Sequence, residues 1–222
     1  MANVKFLLSE KEDVKTAKIF SLMKPYAGGV DFRSNIYREI PSLKNIHLFG
    51  KKEAINKIRS EVKKVYELNY DSIESDRTRF ENLWNSFDFA RIEKVMDRKC
   101  GKAFCFVSIF DCNPRDIQAK SFQVYYKAND EKALQTIVHE LIHFVYFDIY
   151  SKIFRRNPLN KQKTWDLSEI VAQIMQNEFS LGDSSYPAHR KIIPLFQKLW
   201  EETKPEGFNS FLKKSVKLMK EL

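Results

Sequence analysis

The residues His139-Glu140-Leu141-Ile142-His143 have types and a spacing that can do chemistry. On an α-helix, at about 100° per residue, positions i and i+4 lie roughly 40° apart and one turn along the axis. Two imidazoles so placed can share one ion. Glu140 follows the first of them and can reach a water on that ion without ligating it. The chemistry is metal-assisted hydrolysis with a carboxylate base. The flanks agree. Residues 133–147 read ALQTIVHELIHFVYF, with Glu140 as the one residue among Asp, Glu, Lys and Arg. Such a helix is apolar nearly all round and is expected to be buried. A carboxylate placed there for no purpose would cost several kcal/mol, on the order of a buried unpaired charge.

A catalytic zinc pattern needs a third protein ligand and an open position. The helix expected over 163–179, KTWDLSEIVAQIMQNEF, supplies Glu169 beside an apolar stripe of Leu167, Ile170, Val171, Ile174 and Met175. Between His143 and Glu169 there is room for a loop at 154–162 and a return helix. Asp148 and Glu178 are the weaker rivals for this role. Asp148 falls on another face of the first helix.

HEXXH followed by a helix-borne Glu resembles the gluzincin branch of the zincin metallopeptidases. Residues from about 113 to 200 also resemble small microbial zincin-like proteins. The shared pattern is HELxHF, then LSE, then YPxH, present here as His139–Phe144, Leu167-Ser168-Glu169 and Tyr186-Pro187-Ala188-His189. The resemblance implies a zinc ion on His139, His143 and Glu169, with Glu140 as general base and a peptide or protein as substrate. It also implies an edge strand near the active-site helix, on which a peptide lies by main-chain hydrogen bonds. Phe122–Tyr126 is the candidate. One departure concerns the residue one turn after the ligand Glu. The family often has an acid there to orient the first His, whereas this chain has Gln173, whose amide oxygen can accept from His139. A metzincin would need a glycine and a third His soon after His143, and 144–148 supplies neither.

A hydrolase of this type stabilises an oxyanion beside the metal. His189 and Tyr186 compete for that role. A helix is expected over 186–203, with Pro187 in its first turn. His189 then precedes Ile192, Ile193 and Phe196 on the inner face. The plain alternative makes His189 a core histidine and Tyr186 a packing residue. In the implied mechanism, zinc lowers the pKa of a bound water and Glu140 takes its proton. Hydroxide attacks the carbonyl, the oxyanion is held by zinc with His189 or Tyr186, and Glu140 protonates the leaving amine.

The elements that must position these groups point to an α+β, zincin-like fold. A small mixed sheet, including 103–110 and 121–127, is expected beside the HEXXH helix, with a helical C-terminal part. Residues 1–75 are expected to form an N-terminal extension or lid, and 76–222 the metallopeptidase domain. Val4–Leu8 and Ile46–Phe49 read as strands, and 11–24, 53–68, 76–97 and 208–218 as helices. Ser9 and Glu12 make a capping box at the first helix. Tyr26–Gly29 reads as a loop or hinge.

Composition narrows the setting. The chain has 222 residues, only 6 Gly and 7 Pro, and neither repeats nor low-complexity tracts, so an ordered core is expected. It has no apolar run long enough for a membrane span and no signal-peptide core after Met1, so a cytoplasmic location is expected and membrane partners are not. Cys100, Cys105 and Cys112 lack paired metal-ligand spacing and read as reduced structural thiols. The net charge of +9 is spread along the chain. A basic surface permits weak binding to nucleic acid or acidic proteins, but no nucleic-acid-binding motif is legible. The rival function is a zincin-fold regulatory or binding module, of stress or toxin–antitoxin type, whose zinc site does not cleave peptides.

Overall fold

A computed structural model describes residues 2–22 and 31–222. The loop or hinge expected at Tyr26–Gly29 lies outside the described residues. In chain order the elements are β1 (Asn3–Leu8), α1 (Glu10–Leu22), α2 (Arg33–Glu39), α3 (Lys51–Asn85), α4 (Ala90–Val95), β2 (Lys102–Ser108), β3 (Arg115–Asp116), β4 (Ser121–Tyr125), α5 (Asp130–Ile153), α6 (Lys161–Glu178), α7 (Ile193–Thr203) and α8 (Phe208–Glu221). The fold is α+β, rich in helix, with one mixed four-stranded sheet. Among the described residues no helix is long and apolar enough to cross a membrane.

The chain forms two units that interleave along the sequence. One comprises Val4–Ser86 and Phe104–Leu134, the other Met1–Asn3, Phe87–Ala103 and Gln135–Leu222. A boundary near residue 75 was expected, but that position lies inside α3. The two helices expected at 53–68 and 76–97 are instead one helix to Asn85, followed by the short α4. Residues 69–75 contain no Gly or Pro to break the helix. The buried positions Ala54, Ile58, Val62, Tyr66, Ile73, Phe80 and Trp84 keep a helical period through that stretch. Arg77 adds support by bonding Glu74 and Glu81 one turn to either side.

The first unit holds the sheet, in the order β1-β2-β4-β3. β2 runs parallel to β4, with Cys105 opposite Phe122 and Val107 opposite Val124. The period of two is visible in β2, where Ala103, Cys105 and Val107 are buried and the residues between them less so. β4 is not the edge strand that was expected. β3 pairs with it on the side away from β2, and the Gln123 N–H donates to Pro114 O at 3.0 Å. Ile46–Leu48, expected as a strand, is a 3-10 turn. Ser9 caps α1 as expected, its Oγ accepting from the Glu12 N–H at 3.3 Å.

In the same unit Asp13 of α1 is 1% exposed. Its Oδ2 accepts from the Tyr66 hydroxyl at 2.8 Å and from the Ile109 N–H at 3.2 Å, while Ser108 donates to Oδ1. Burial nevertheless outweighs these donors and pushes the carboxyl pKa up to about 6. The three cysteines are buried thiols, outside any disulfide.

The second unit is helical around α5, α6, α7 and α8. Gln135–Tyr146 of α5 and Leu167–Gln176 of α6 are buried at every position, so neither stretch has a solvent face. α7 and α8 are joined through Gly207, whose φ of 88° suits a residue without Cβ. Trp200 packs on Phe211 and Phe208 with ring centroids 5.2 and 6.3 Å away, and its indole N–H donates to Glu178 at 3.0 Å. Glu178 is half-buried and bonded to Trp200 and Lys204, and it is not grouped with the histidines.

Candidate metal centre

α5 and α6 carry the site. His139 and His143 project from one face of α5, their ring centroids 4.6 Å apart and their planes at 79°. Asn160 starts α6 by accepting from the Lys163 N–H at 2.8 Å, which sets the helix that carries Glu169. Glu169 Oε2 lies 3.2 Å from His139 Nε2, and its Oε1 lies 3.5 Å from His143 Nε2. The two Nε2 atoms are 2.9 Å apart. His143 is fully buried, His139 is 9% exposed, and Glu140 and Glu169 are each 4% exposed.

Among the described residues, His139, His143 and Glu169 form the one group of three that can hold a metal ion, with donor atoms all within 4.8 Å of one another. The donor set suits a cation of zinc type. Four ligands placed tetrahedrally at about 2.0–2.1 Å from an ion stand about 3.3 Å from each other. The observed separations of 2.9, 3.2 and 3.5 Å bracket that edge.

No protein-family model, curated protein or solved structure matches the chain.

Gln173 was expected to orient His139. It does not bond His139. Its Nε2 donates to Gly182 O at 3.1 Å and to Asn177 at 2.7 Å, and its Oε1 accepts from the Ser184 N–H at 2.8 Å. The residue beside His139 is Gln176, whose Oε1 lies 3.1 Å from Nδ1. Ser184 Oγ lies 3.1 Å from the same nitrogen. Gln176 sits one turn beyond Gln173 on the helix face of Glu169, so helical spacing alone leaves both in reach. Ser184 comes from the irregular segment after α6, and no periodicity points to it.

His189 is buried, as expected, but not by a helix over 186–203. Residues 187–192 are turns, and α7 begins at Ile193, with Pro194 in its first turn. The ring of His189 packs on Trp165 and Tyr186 at 5.5 and 5.9 Å, and its Nε2 pairs with Asp166 at 2.9 Å. Its Nδ1 is buried with no hydrogen-bond partner. Asp166 is one turn before Glu169 on α6, so His189 and Tyr186 are attached to the helix that carries the third donor. Asp148, the other rival for a ligand role, faces Arg98 at 3.7 Å. Tyr146 continues the stripe of His139 and His143 along α5. Burial, with a smaller contribution from Tyr150, holds its phenol pKa well above the ordinary value.

Proposed function

We propose that the chain is a zinc-dependent hydrolase of zincin type that cleaves peptide bonds. The observation that carries this reading is the convergence of His139, His143 and Glu169 on one point, with Glu140 next in sequence to the first donor. Zinc held there would supply Lewis acidity and make a water acidic enough to lose a proton near neutral pH. Glu140 takes that proton on its carboxylate and passes it to the nitrogen of the leaving amine. His189, or failing it Tyr186, serves the developing oxyanion. For His189 the ring atom left to do so is Nδ1, which donates when the ring carries both protons, because Nε2–H is bonded to Asp166. Asp166 thereby fixes the ring, as a carboxylate does for a working histidine.

The deep burial of the four central side chains favours a second reading, in which the chain is a zincin-fold regulatory or binding module and zinc holds α5 to α6. The two readings separate on Glu140→Gln. A purely structural site has no use for a base. The experiment is hydrolysis of a broad peptide library by zinc-loaded wild type and Glu140→Gln at matched zinc content. Cleavage by wild type and its loss in the variant support the enzyme. Cleavage by neither makes the module the better account.

A further inference from the structure

The segment after α6 turns back sharply. Ser180 and Gly182 have φ of 56° and 82°, left-handed values that reverse the chain. Gln173 then fastens the returning segment on two sides, through Gly182 O and the Ser184 N–H. These two bonds also fix which end of the Gln173 amide is oxygen, since a carbonyl must meet a donor and an N–H an acceptor. Gln176 is fixed in the same way, because its Nε2 donates to Gln135 O at 3.0 Å. Its Oε1 must therefore be the atom that faces His139 Nδ1.

Beside Nδ1 there are then one acceptor oxygen, Gln176 Oε1, and one hydroxyl, Ser184 Oγ, and that hydroxyl also meets Gln173 Oε1. Ser184 lies within bonding distance of both oxygens, at 3.2 Å from that of Gln173 and closer to that of Gln176. A hydroxyl has one proton to give, and here the oxygens take it. If Nδ1 were bare, its lone pair would face the lone pairs of Gln176 Oε1 across 3.1 Å. If Nδ1 carries the proton, it donates to Gln176 Oε1 and Ser184 Oγ, and every polar atom in the group is matched.

We infer that Gln176 and Ser184 are positioning residues that hold neutral His139 as its Nδ1–H tautomer and so leave Nε2 bare toward His143 and Glu169. This deepens the metal reading and rests on it for its purpose, though not for its test. The device is uncharged. It selects which nitrogen is offered without placing a further carboxylate in the site.

The tautomer is read directly from two-bond ¹H–¹⁵N correlations of the chelator-treated, ¹⁵N-labelled full chain at about pH 8, where an ordinary histidine is neutral. Replacing each of the four histidines singly assigns the rings. The expected result is Nδ1–H for His139 in wild type and in Gln176→Glu, which keeps an acceptor. The double change Gln176→Met with Ser184→Ala is expected to move the proton off Nδ1. It is also expected to weaken zinc binding about 10–100-fold in competition with a chromophoric chelator. His139 as Nε2–H in wild type would overturn the inference, whatever the variants do. So would a folded double variant that keeps both the tautomer and the affinity. Nδ1–H in a wild type that binds no zinc would uphold the positioning role and remove the metal from the proposed function.

Discussion

Glu169 and Gln176 hold His139 from opposite sides of its ring. Glu169 Oε2 is 3.2 Å from Nε2, and Gln176 Oε1 is 3.1 Å from Nδ1. Both come from one face of α6, about two turns apart. A single helix therefore supplies a donor for the shared point and the group that orients a second donor. Any change that rotates α6 moves both together.

Zinc stoichiometry is the first expected outcome. Chelator-free protein should carry one zinc per chain by elemental analysis. Glu169→Ala should carry much less at the same free zinc, since only two donors remain where a catalytic site uses three. Equal zinc in the two proteins would take Glu169 out of the site.

A base role for Glu140 is separable from the ligand roles. Glu140→Gln should retain zinc and lose peptide cleavage by about 10²–10⁴-fold, the usual cost of removing such a group. Gln keeps the shape of Glu at a position that is 4% exposed, so the fold should tolerate it. Unchanged turnover would end the peptidase reading.

His189→Ala tests the oxyanion role, with Tyr186→Phe as its partner experiment. The structure adds a cost that sequence does not show, because the ring bonds Asp166 and packs on Trp165. His189→Ala should therefore lose stability of about 1–2 kcal/mol, on the scale of one buried hydrogen bond. It should also lose kcat by about 10²–10³. Tyr186→Phe should change both little. A loss of kcat confined to Tyr186→Phe would transfer the role to Tyr186.

Asp13 makes stability depend on pH in a direction opposite to a salt-bridged carboxylate. Its pKa in the folded chain is about 6, against 3.8 for the ordinary group. The folded state thus favours the protonated form. That contribution is complete below about pH 4 and is lost as pH rises through 6, and it amounts to about 3 kcal/mol in all. Other carboxylates pull the other way, as Glu39 does with its pKa lowered by Lys127, Tyr125 and Arg38 against the burial that opposes them. The clean observable is the difference between wild type and Asp13→Asn. Denaturant unfolding from pH 4 to 7 should show the variant gaining on wild type across that window. A constant difference would refute the shift.

The site was legible in sequence where it obeys a helical period. His139, His143 and Glu169 follow from i, i+4 spacing and from an apolar stripe, and α6 was expected within two residues of its observed bounds, while α5 extends beyond the 133–147 stretch at both ends. Gln176 and Gln173 share a face at that period, so spacing could not choose between them. The choice is made by the return of the 180–184 segment, whose turns depend on backbone angles at Ser180 and Gly182. Ser184 and the Asp166–His189 pair are juxtapositions made by loops. α3 was missed as one helix because 69–75, with Asn, Tyr, Asp and two Ser, has low intrinsic helix propensity, which packing at Ile73 overrides.

The uninterrupted burial of 135–146 and 167–176 has a consequence for descent. Nearly every substitution in those stretches is felt by the core, so their apolar residues are under constraint whether or not the chain does chemistry. Two descendants could resemble each other closely along both helices while only one retained a working centre. Similarity there would report shared ancestry. Inheritance of activity would be read from the few polar positions, His139, Glu140, His143, Glu169 and Gln176, which an apolar core has no reason to keep.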